Sequence, residues 1–471
     1  MVNHGRAHRV CCVVVRGDVR HRMPAVVRVV ALLAMDQPRI PRFAALRYRD
    51  FRLLWFGQFF AVTGNAMQFI AVNWHVYTLL EGSEYSISVL GFQLALQGQA
   101  LGLGVVGLVR ILPVILFGLV GGVLADIHDR RCLIIWSQSA ACLFTAALAG
   151  ITLSGNVSLA ALYLLTAAIS GVSAFETPAQ QALLPQLVPR EHFTNAVSLN
   201  QLMHQFGTIG GPAVAGVLIG AFPIGLVYAL NGVSFLILLV ALFFMRPQGR
   251  PGTGSLDVAP PSLSLGSMLE GLRFVRRSRL IWATMLLDFL ATFFSSARTM
   301  LPLVAGELLG VGAAGYGLLA TAQPAGALIA GVALTFRREI ARQGPVLLVS
   351  IAVYGLATAL FGVSPLFGLS YVLFAVTGAA DTVSTVIRQT LRQIMTPDHL
   401  RGRMVGVNMI FFMGGPQLGE LEAGVVAALF GVSFSVVSGG LITLLLTAWI
   451  ALRYPALRAY RSGSETRGTR L

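Results

Sequence analysis

The chain has no lysine, and all 34 of its Lys/Arg positions are arginine. A Walker-type phosphate loop places a lysine on the β and γ phosphates, and Schiff-base catalysis needs a lysine amine. Both are therefore excluded, and transport powered by an ATP site on this chain is not expected. Charge is also scarce. Charged residues make up 11% of the 471 positions, against roughly a quarter in soluble domains. The four cysteines, Cys11, Cys12, Cys132 and Cys142, form no CxxC pair and no metal-ligand spacing, so neither a disulfide framework nor a metal centre is expected. The net charge of +15 comes without a basic stripe interleaved with aromatics, which argues against nucleic acid as a partner.

What the chain has in abundance is apolar sequence: 56% hydrophobic residues, with a mean hydropathy of +0.76. Twelve apolar stretches are predicted as spans near 53–80, 101–125, 132–153, 157–181, 196–221, 225–245, 280–305, 315–335, 345–362, 369–390, 405–429 and 434–452. Stretches of about 20 residues cross a ~30 Å hydrocarbon core as helices. All arginines except Arg110 and Arg298 fall in seven short segments: the region up to Arg52, Arg130–Arg131, Arg190, Arg246–Arg279, Arg337–Arg342, Arg388–Arg403 and the tail from Arg453. Cationic loops stay on the cytoplasmic side, so the alternation predicts an even number of crossings with both termini cytoplasmic. The expected fold class is an all-α membrane protein of twelve transmembrane helices in two pseudo-symmetric six-helix halves.

The predicted organisation is a cytoplasmic region 1–52, a first half 53–245, a cytoplasmic linker 246–279, a second half 280–452 and a basic tail 453–471. Residues 1–34 read either as a disordered tail or as an over-extended start, with Met35 the alternative initiator. The linker opens with Pro247, Pro251, Pro260 and Pro261 among Gly and Ser, a flexible composition. It continues as an amphipathic helix over 267–279, with Met268, Leu269, Leu272 and Val275 opposite Arg273, Arg276 and Arg277, a pattern suited to the cytoplasmic lipid surface. The first external loop is long, and its semi-apolar residues 85–100 read either as an interfacial helix or as an outward extension of the second span.

The halves repeat each other. A shift of 208 positions superposes Pro189 on Pro397, Asn200 on Asn408, Gly207 on Gly415, Gly211 on Gly419 and Gly216 on Gly424, together with Gln181 on Gln389 and Leu183 on Leu391. Duplicated six-helix halves around a midplane site are the architecture of secondary transporters that rock between two states.

Gly122-Val-Leu-Ala-Asp126-Ile-His-Asp129-Arg130-Arg131 resembles the signature loop between helices two and three of the major facilitator superfamily, Gly-x-Leu-Ala-Asp-Arg-x-Gly-Arg-Arg, with Ile127 and Asp129 departing from it. Phe51-Arg52-Leu-Leu-Trp55, Gly107-Leu-Val-Arg110-Ile-Leu-Pro113, Pro178-Ala-Gln-Gln-Ala-Leu-Leu-Pro185 and Gly415-Pro-Gln-Leu-Gly419-Glu420 extend the resemblance to the subgroup of siderophore exporters and drug and macrolide effluxers. The resemblance implies a conformational latch at Gly122, Asp126, Arg130 and Arg131. Gly207-Thr-Ile-Gly-Gly211-Pro212-Ala-Val-Ala-Gly216 is similar to the Gly-Pro hinge of superfamily antiporters, with Ala215 where a second Gly is usual. The alternative there is generic helix packing.

Ionisable residues inside a membrane are costly and usually functional. Asp288, Asp381, Arg388, Glu420 and Arg110 are the candidates for a proton-coupling or charge network. Asp381 and Arg388, seven positions apart, share a helix face, and Asp288 could neutralise an arginine. The alternative is a set of static pairs that fix helix positions. Gln58, Asn65, Gln68, Glu176 and Arg298 are the candidate cavity residues; the amides of the first span could instead bond between helices.

The expectation is not an enzyme but a secondary exporter of small amphipathic molecules (drugs, macrolides or siderophores). It would work in the inner membrane by proton antiport and alternating access, as a monomer without metal or cofactor. A nutrient importer of the same fold and a non-transporting membrane sensor are the competing readings.

Overall fold

The computed structural model describes residues 43–89, 92–246, 265–296, 298–337, 340–397 and 400–461. Residues 1–34 and the start of the linker lie outside the described residues, as do the surroundings of Gly122 and the side chain of Asp126. Contacts divide the chain after Ala44; the unit from Ala45 onward carries the helices and the cavity between them.

Twelve long helices run through the described residues of this unit. In the first half these are α1 (Arg49–Leu79), α2 (Gly98–Ile127), α3 (Arg130–Leu153), α4 (Leu159–Leu187), α5 (Phe193–Ala221) and α6 (Gly225–Phe244). In the second half they are α7 (Arg279–Phe294), α8 (Gly312–Phe336), α9 (Gln343–Phe361), α10 (Phe367–Met395), α11 (Arg401–Phe430) and α12 (Val432–Arg453). Among the described residues, nine of the helices are long and apolar enough to cross a bilayer by length and composition. Of the other three, α1 carries the amide row Gln58–Asn73, α11 carries Gln417, Glu420 and Glu422, and α7 stops after 16 residues.

Local chemistry sets several boundaries. Asp129 caps α3, its Oδ1 accepting from the Arg131 amide at 2.9 Å. Ser158 Oγ caps α4 by accepting from the Ala161 amide at 3.2 Å. Such caps satisfy amides that the first turn leaves unpaired. The linker helix, Leu265–Arg277, anchors through buried Val275 to Ile281, Met285 and Leu391 of the second half and leaves Arg276 and Arg277 exposed.

Two segments differ from the sequence reading. Residues 84–97 form neither an interfacial helix nor an extension of α2, but an antiparallel hairpin, β1 (Glu84–Val89) and β2 (Phe92–Gln97). The register explains it: Tyr85 pairs with Leu96, Ile87 with Leu94 and Val89 with Phe92, a period of two rather than 3.6. The seventh span is also not one continuous helix over 280–305. It ends at Phe294, is not helical over 295–296 and 298–300, and resumes in a short turn at Leu301–Leu303 and a π turn at Val304–Leu308. The freed Ser295 carbonyl accepts from Tyr354 Oη at 3.2 Å, and the Ser295 side chain ties the break to α12 by donating from Oγ to Gly439 O at 3.2 Å. Pro302 starts the resumed turn, at a position where its missing N–H costs nothing.

The sequence repeat reappears as a repeat of helix crossings. A Cβ placed on Gly207 would lie 2.7 Å from Val62 and one on Gly211 2.6 Å from Ala66, so these two glycines seat α5 on α1. Gly415 and Gly419, their counterparts, meet Thr292 and the Phe293 backbone and seat α11 on α7. The third pair reaches across the halves: Gly216 faces Gly317 on α8, and Gly424 faces Gly104 on α2, with a Cβ only 2.6 and 2.5 Å from the opposing Cα. Small residues let membrane helices approach at the backbone level where lipid offers no hydrophobic drive.

The cores are distributed unequally along the helices. At the end bearing the hairpin, one buried cluster draws on both halves, with Val76, Leu103 and Tyr228 beside Leu303, Tyr316 and Phe361. Towards the linker, the buried clusters among the described residues are separate: Phe51, Leu183 and Phe235 in the first half; Leu287, Leu347 and Ile450 in the second. Among the described residues, the halves thus share a buried core at the hairpin end and keep separate ones towards the linker.

Candidate functional site

A cavity of about 670 Å³ lies between the halves, lined from α1, α2 and α5 on one side and from α7, α8, α9, α10 and α11 on the other. Its walls mix Val62, Ala66, Phe69 and Phe374 with six charged residues: Arg110, Asp288, Arg298, Asp381, Arg388 and Glu420. An apolar pocket with a few convergent polar groups is the usual form of a small-molecule site.

The charges are grouped in two places. On the second-half wall, Arg388 of α10 is 3% exposed, and its guanidinium ion-pairs with Asp288 of α7 through Nη1. Nη2 lies 3.6 Å from Oδ1 of Asp381, on the same face of α10, and donates to Thr385 Oγ1 at 2.8 Å. Asp288 is closed in, whereas the Asp381 side chain is 47% exposed to the cavity. Two carboxylates therefore share one guanidinium, and the group carries a surplus negative charge that one proton neutralises. Neighbouring Arg392 donates to Asn408, the residue that the repeat pairs with Asn200.

The second group straddles the halves. The Arg110 and Arg298 guanidinium carbons lie over the Phe69 ring at 4.4 and 4.7 Å from its centroid. Glu420 of α11 is 5% exposed and interacts electrostatically with both arginines. Its carboxylate fits because position 107 has no side chain: a Cβ there would be 2.8 Å from Glu420 Oε2. Arg298 belongs to the break after α7, with Ser295 and Ser296 also on the cavity wall. Non-helical backbone at membrane depth is tolerated where it is buried in protein or lines a cavity.

The remaining sequence candidates are dispersed. Asn65 lines this cavity and an adjoining one of about 230 Å³, where Gln68 also takes part. Gln68 Oε1 additionally accepts from Asn231 of α6 and from Thr145 Oγ1 of α3 at 3.4 Å, so it bonds between helices as well. Gln58 is buried on α1 away from both cavities. Glu176 lies outside the cavity lining too; it accepts hydrogen bonds from Gln138 of α3 and Gln180 of α4.

Arg130 Nη1 donates to Ala182 O at 2.9 Å, and Arg131 donates through Nε to Leu242 O at 2.8 Å and through Nη2 to Phe243 O at 3.0 Å. All three acceptors belong to the first half. Arg131 thus serves the last turn of α6, whose carbonyls carry the negative end of the helix dipole, and Arg130 bonds further inside α4. Among the hinge residues, Pro212 lies within α5 between glycine crossings onto α1 and onto α8. A Cβ on Gly317 would be 2.6 Å from Pro212 O.

Sequence reasoning missed Phe69, the amides Gln138 and Gln180, and Gln205, whose Nε2 donates to Pro324 O across the halves at 2.7 Å. An aromatic in an apolar run carries no mark of its role. The amides were visible as polar residues inside predicted spans.

The family described as "Transmembrane secretion effector" matches residues 40–467. The chain is 26% identical over 411 residues to the Enterobactin exporter EntS of Shigella boydii serotype 4 and of Escherichia coli O139:H28, covering 87% of this chain and 93% of each relative. Among solved structures, it is similar to a bacterial homolog of the human lysosomal transporter Spinster in an inward-facing, unoccupied conformation. That similarity has a TM-score of 0.65 at 14% identity and covers 88% of this chain and 99% of that one. A bacterial homologue of the iron transporter ferroportin in an inward-facing state matches with a TM-score of 0.60 at 16% identity, covering 88% and 99%. These likenesses show the fold. The chain belongs to the transmembrane secretion effector family of the major facilitator superfamily, and is a multi-pass membrane transporter rather than an enzyme.

Proposed function

We propose that the protein exports small amphipathic molecules (drugs, macrolides or siderophores) across the bacterial inner membrane in exchange for protons, with both termini cytoplasmic. It works as a monomer with two halves, 53–245 and 280–452, rocking about the central cavity. The observation that carries this reading is the Asp288–Arg388–Asp381 group on the cavity wall. When Asp381 is ionised, the group is negative; when Asp381 takes a proton, it is neutral and cheaper to move through a closed, low-dielectric state. Half-exposed Asp381 is the member within reach of protons, and buried Arg388 holds its partner Asp288 in place.

The joined hairpin end and parted linker end support an inward-open state in which substrate enters from the cytoplasm. In that state Arg130 and Arg131 bond within the first half, as expected of a latch that has not engaged the second. Closure would bring Gly122, Asp126, Arg130 and Arg131 against the facing half, with α5 bending at Gly207–Gly216. Export is favoured over uptake by the 26% identical exporters.

Everted membrane vesicles test the reading. A panel of fluorescent amphipathic drugs and siderophores is expected to accumulate when an inward-acid gradient is imposed, and accumulation should stop when an uncoupler is added. Accumulation indifferent to the gradient, or absent across the panel, would reject it.

A further inference from the structure

All but two arginines lie in segments assigned to one membrane face, and the two exceptions, Arg110 and Arg298, converge on one phenylalanine. They come from opposite halves, Arg110 from α2 and Arg298 from the break after α7. Among the described residues neither makes an ion pair or a hydrogen bond, although both line the cavity. Glu420 is the carboxylate that interacts with both, and its Oε2 is buried without a hydrogen-bond partner among the described residues. Two guanidiniums thus share one carboxylate, which leaves a positive charge unmatched on this side of the cavity. The surplus negative charge of the Asp288–Arg388–Asp381 group lies on the other wall, where both acids face Arg388 rather than Arg110 or Arg298.

We infer that Arg110 and Arg298 form an anion-binding subsite between the halves, fitted to an organic anion whose negative group adjoins an aromatic ring. A guanidinium held over one ring can take a second ring on its far face. Its N–H donors remain available for a carboxylate or a similar oxyanion. Phe69 keeps the two cations in place while the cavity is empty, and Glu420 screens them from each other. The broken seventh span gives Arg298 its position, since interrupted helices put polar groups and free backbone at a transporter's central site. Because each half owns one arginine, the subsite is complete only while the halves stand parted at the linker end and joined at the hairpin end. Rocking separates the two cations and releases the anion.

This inference rests on the central cavity being the substrate site. Its test is a binding measurement that needs no transport. The full-length chain in lipid nanodiscs is titrated with dansylglycine, an aromatic carboxylate, and with dansylamide, its neutral counterpart, and fluorescence is followed. Dansylglycine is expected to bind more tightly than dansylamide. Arg110→Gln and Arg298→Gln should each weaken dansylglycine about tenfold or more, the range for losing a hydrogen bond to a charged group, and should leave dansylamide within about twofold. Arg298→Lys should restore part of the loss, and Glu420→Gln should tighten dansylglycine by removing its competitor. Dansylamide serves as the folding control for every variant. Equal affinity of the two dansyl compounds, no dansylglycine binding by the unaltered chain, or variants that keep dansylglycine affinity would each overturn the subsite. Loss of gradient-driven accumulation in everted vesicles, with this binding pattern intact, would instead overturn proton-coupled export.

Discussion

Helices α4 and α10 occupy equivalent places in the two halves, and the 208-position repeat pairs Ser173 with Asp381, Glu176 with Ser384 and Gln180 with Arg388. Each helix buries a carboxylate-bearing cluster, yet the chemistry differs. In α4, Glu176 is held by two amides, Gln138 and Gln180, and no guanidinium among the described residues pairs with it. In α10, Asp381 and Asp288 are held by Arg388, and Asp381 opens to the cavity. One scaffold thus carries an amide cluster set back from the cavity and an ionic cluster facing it. The difference fits the proposed coupling: the first half holds Glu176 among amides away from the cavity, and the second half presents Asp381 to it.

The largest effect is expected from breaking the ionic side. Arg388→Gln leaves two acids without their cation and should cost about 3–5 kcal/mol, as removal of one member of a buried pair does, seen as a lowered unfolding midpoint in detergent. The matching change on the other side, Gln180→Ala, removes one side-chain hydrogen bond to Glu176 and should cost about 1 kcal/mol or less. Similar costs for the two would erase the distinction between the clusters.

Next in size is the effect of Gly424→Leu and Gly216→Leu. Each puts a side chain where the opposing glycine backbone stands 2.5 or 2.6 Å from the first added carbon. Both should weaken the joined hairpin end and shift spin-label distances between the halves there. Because the two crossings are repeat equivalents, the shifts should be alike. A shift in only one would mean that the halves do not move as mirror partners.

A smaller effect is expected at the break after α7. Ser295→Ala removes a hydroxyl that bonds Gly439 O at 3.2 Å and Thr443 Oγ1 at 2.7 Å. It should cost about 1 kcal/mol in the same unfolding measurement. No change at all would mean that the break is held by packing alone.

Much of this was legible in the chain itself, for physical reasons. Apolar length and arginine placement set the span pattern because burying charge in hydrocarbon is expensive. The repeated glycines were legible because each marks a crossing too close for a side chain. The Asp381–Arg388 spacing placed both on one face of α10, and Asp288 was named as a neutraliser of an arginine. Other features gave weaker signals. The hairpin was hidden because the semi-apolar stretch 85–100 fits an interfacial helix or an extended second span equally well, although Tyr85–Gln97 alternates with a period of two. The break at 295–300 contains neither Gly nor Pro, and only Ser295-Ser296 and the following Pro302 hint at it. Glu176 carries the same formal charge as Asp381, and only the fold shows that amides rather than arginine surround it. Phe69 gains its place through partners 41 and 229 positions away, which no local pattern encodes.

The division between the clusters is tested most directly by proton movement. Proteoliposomes loaded with a pH-sensitive dye would carry the unaltered chain, Asp381→Asn or Glu176→Gln, and internal pH would be followed as a transported drug is added. Substrate-driven proton flux is expected from the unaltered chain and from Glu176→Gln, and none from Asp381→Asn. Flux that survives Asp381→Asn but disappears with Glu176→Gln would place coupling in the first half and contradict its assignment to α10.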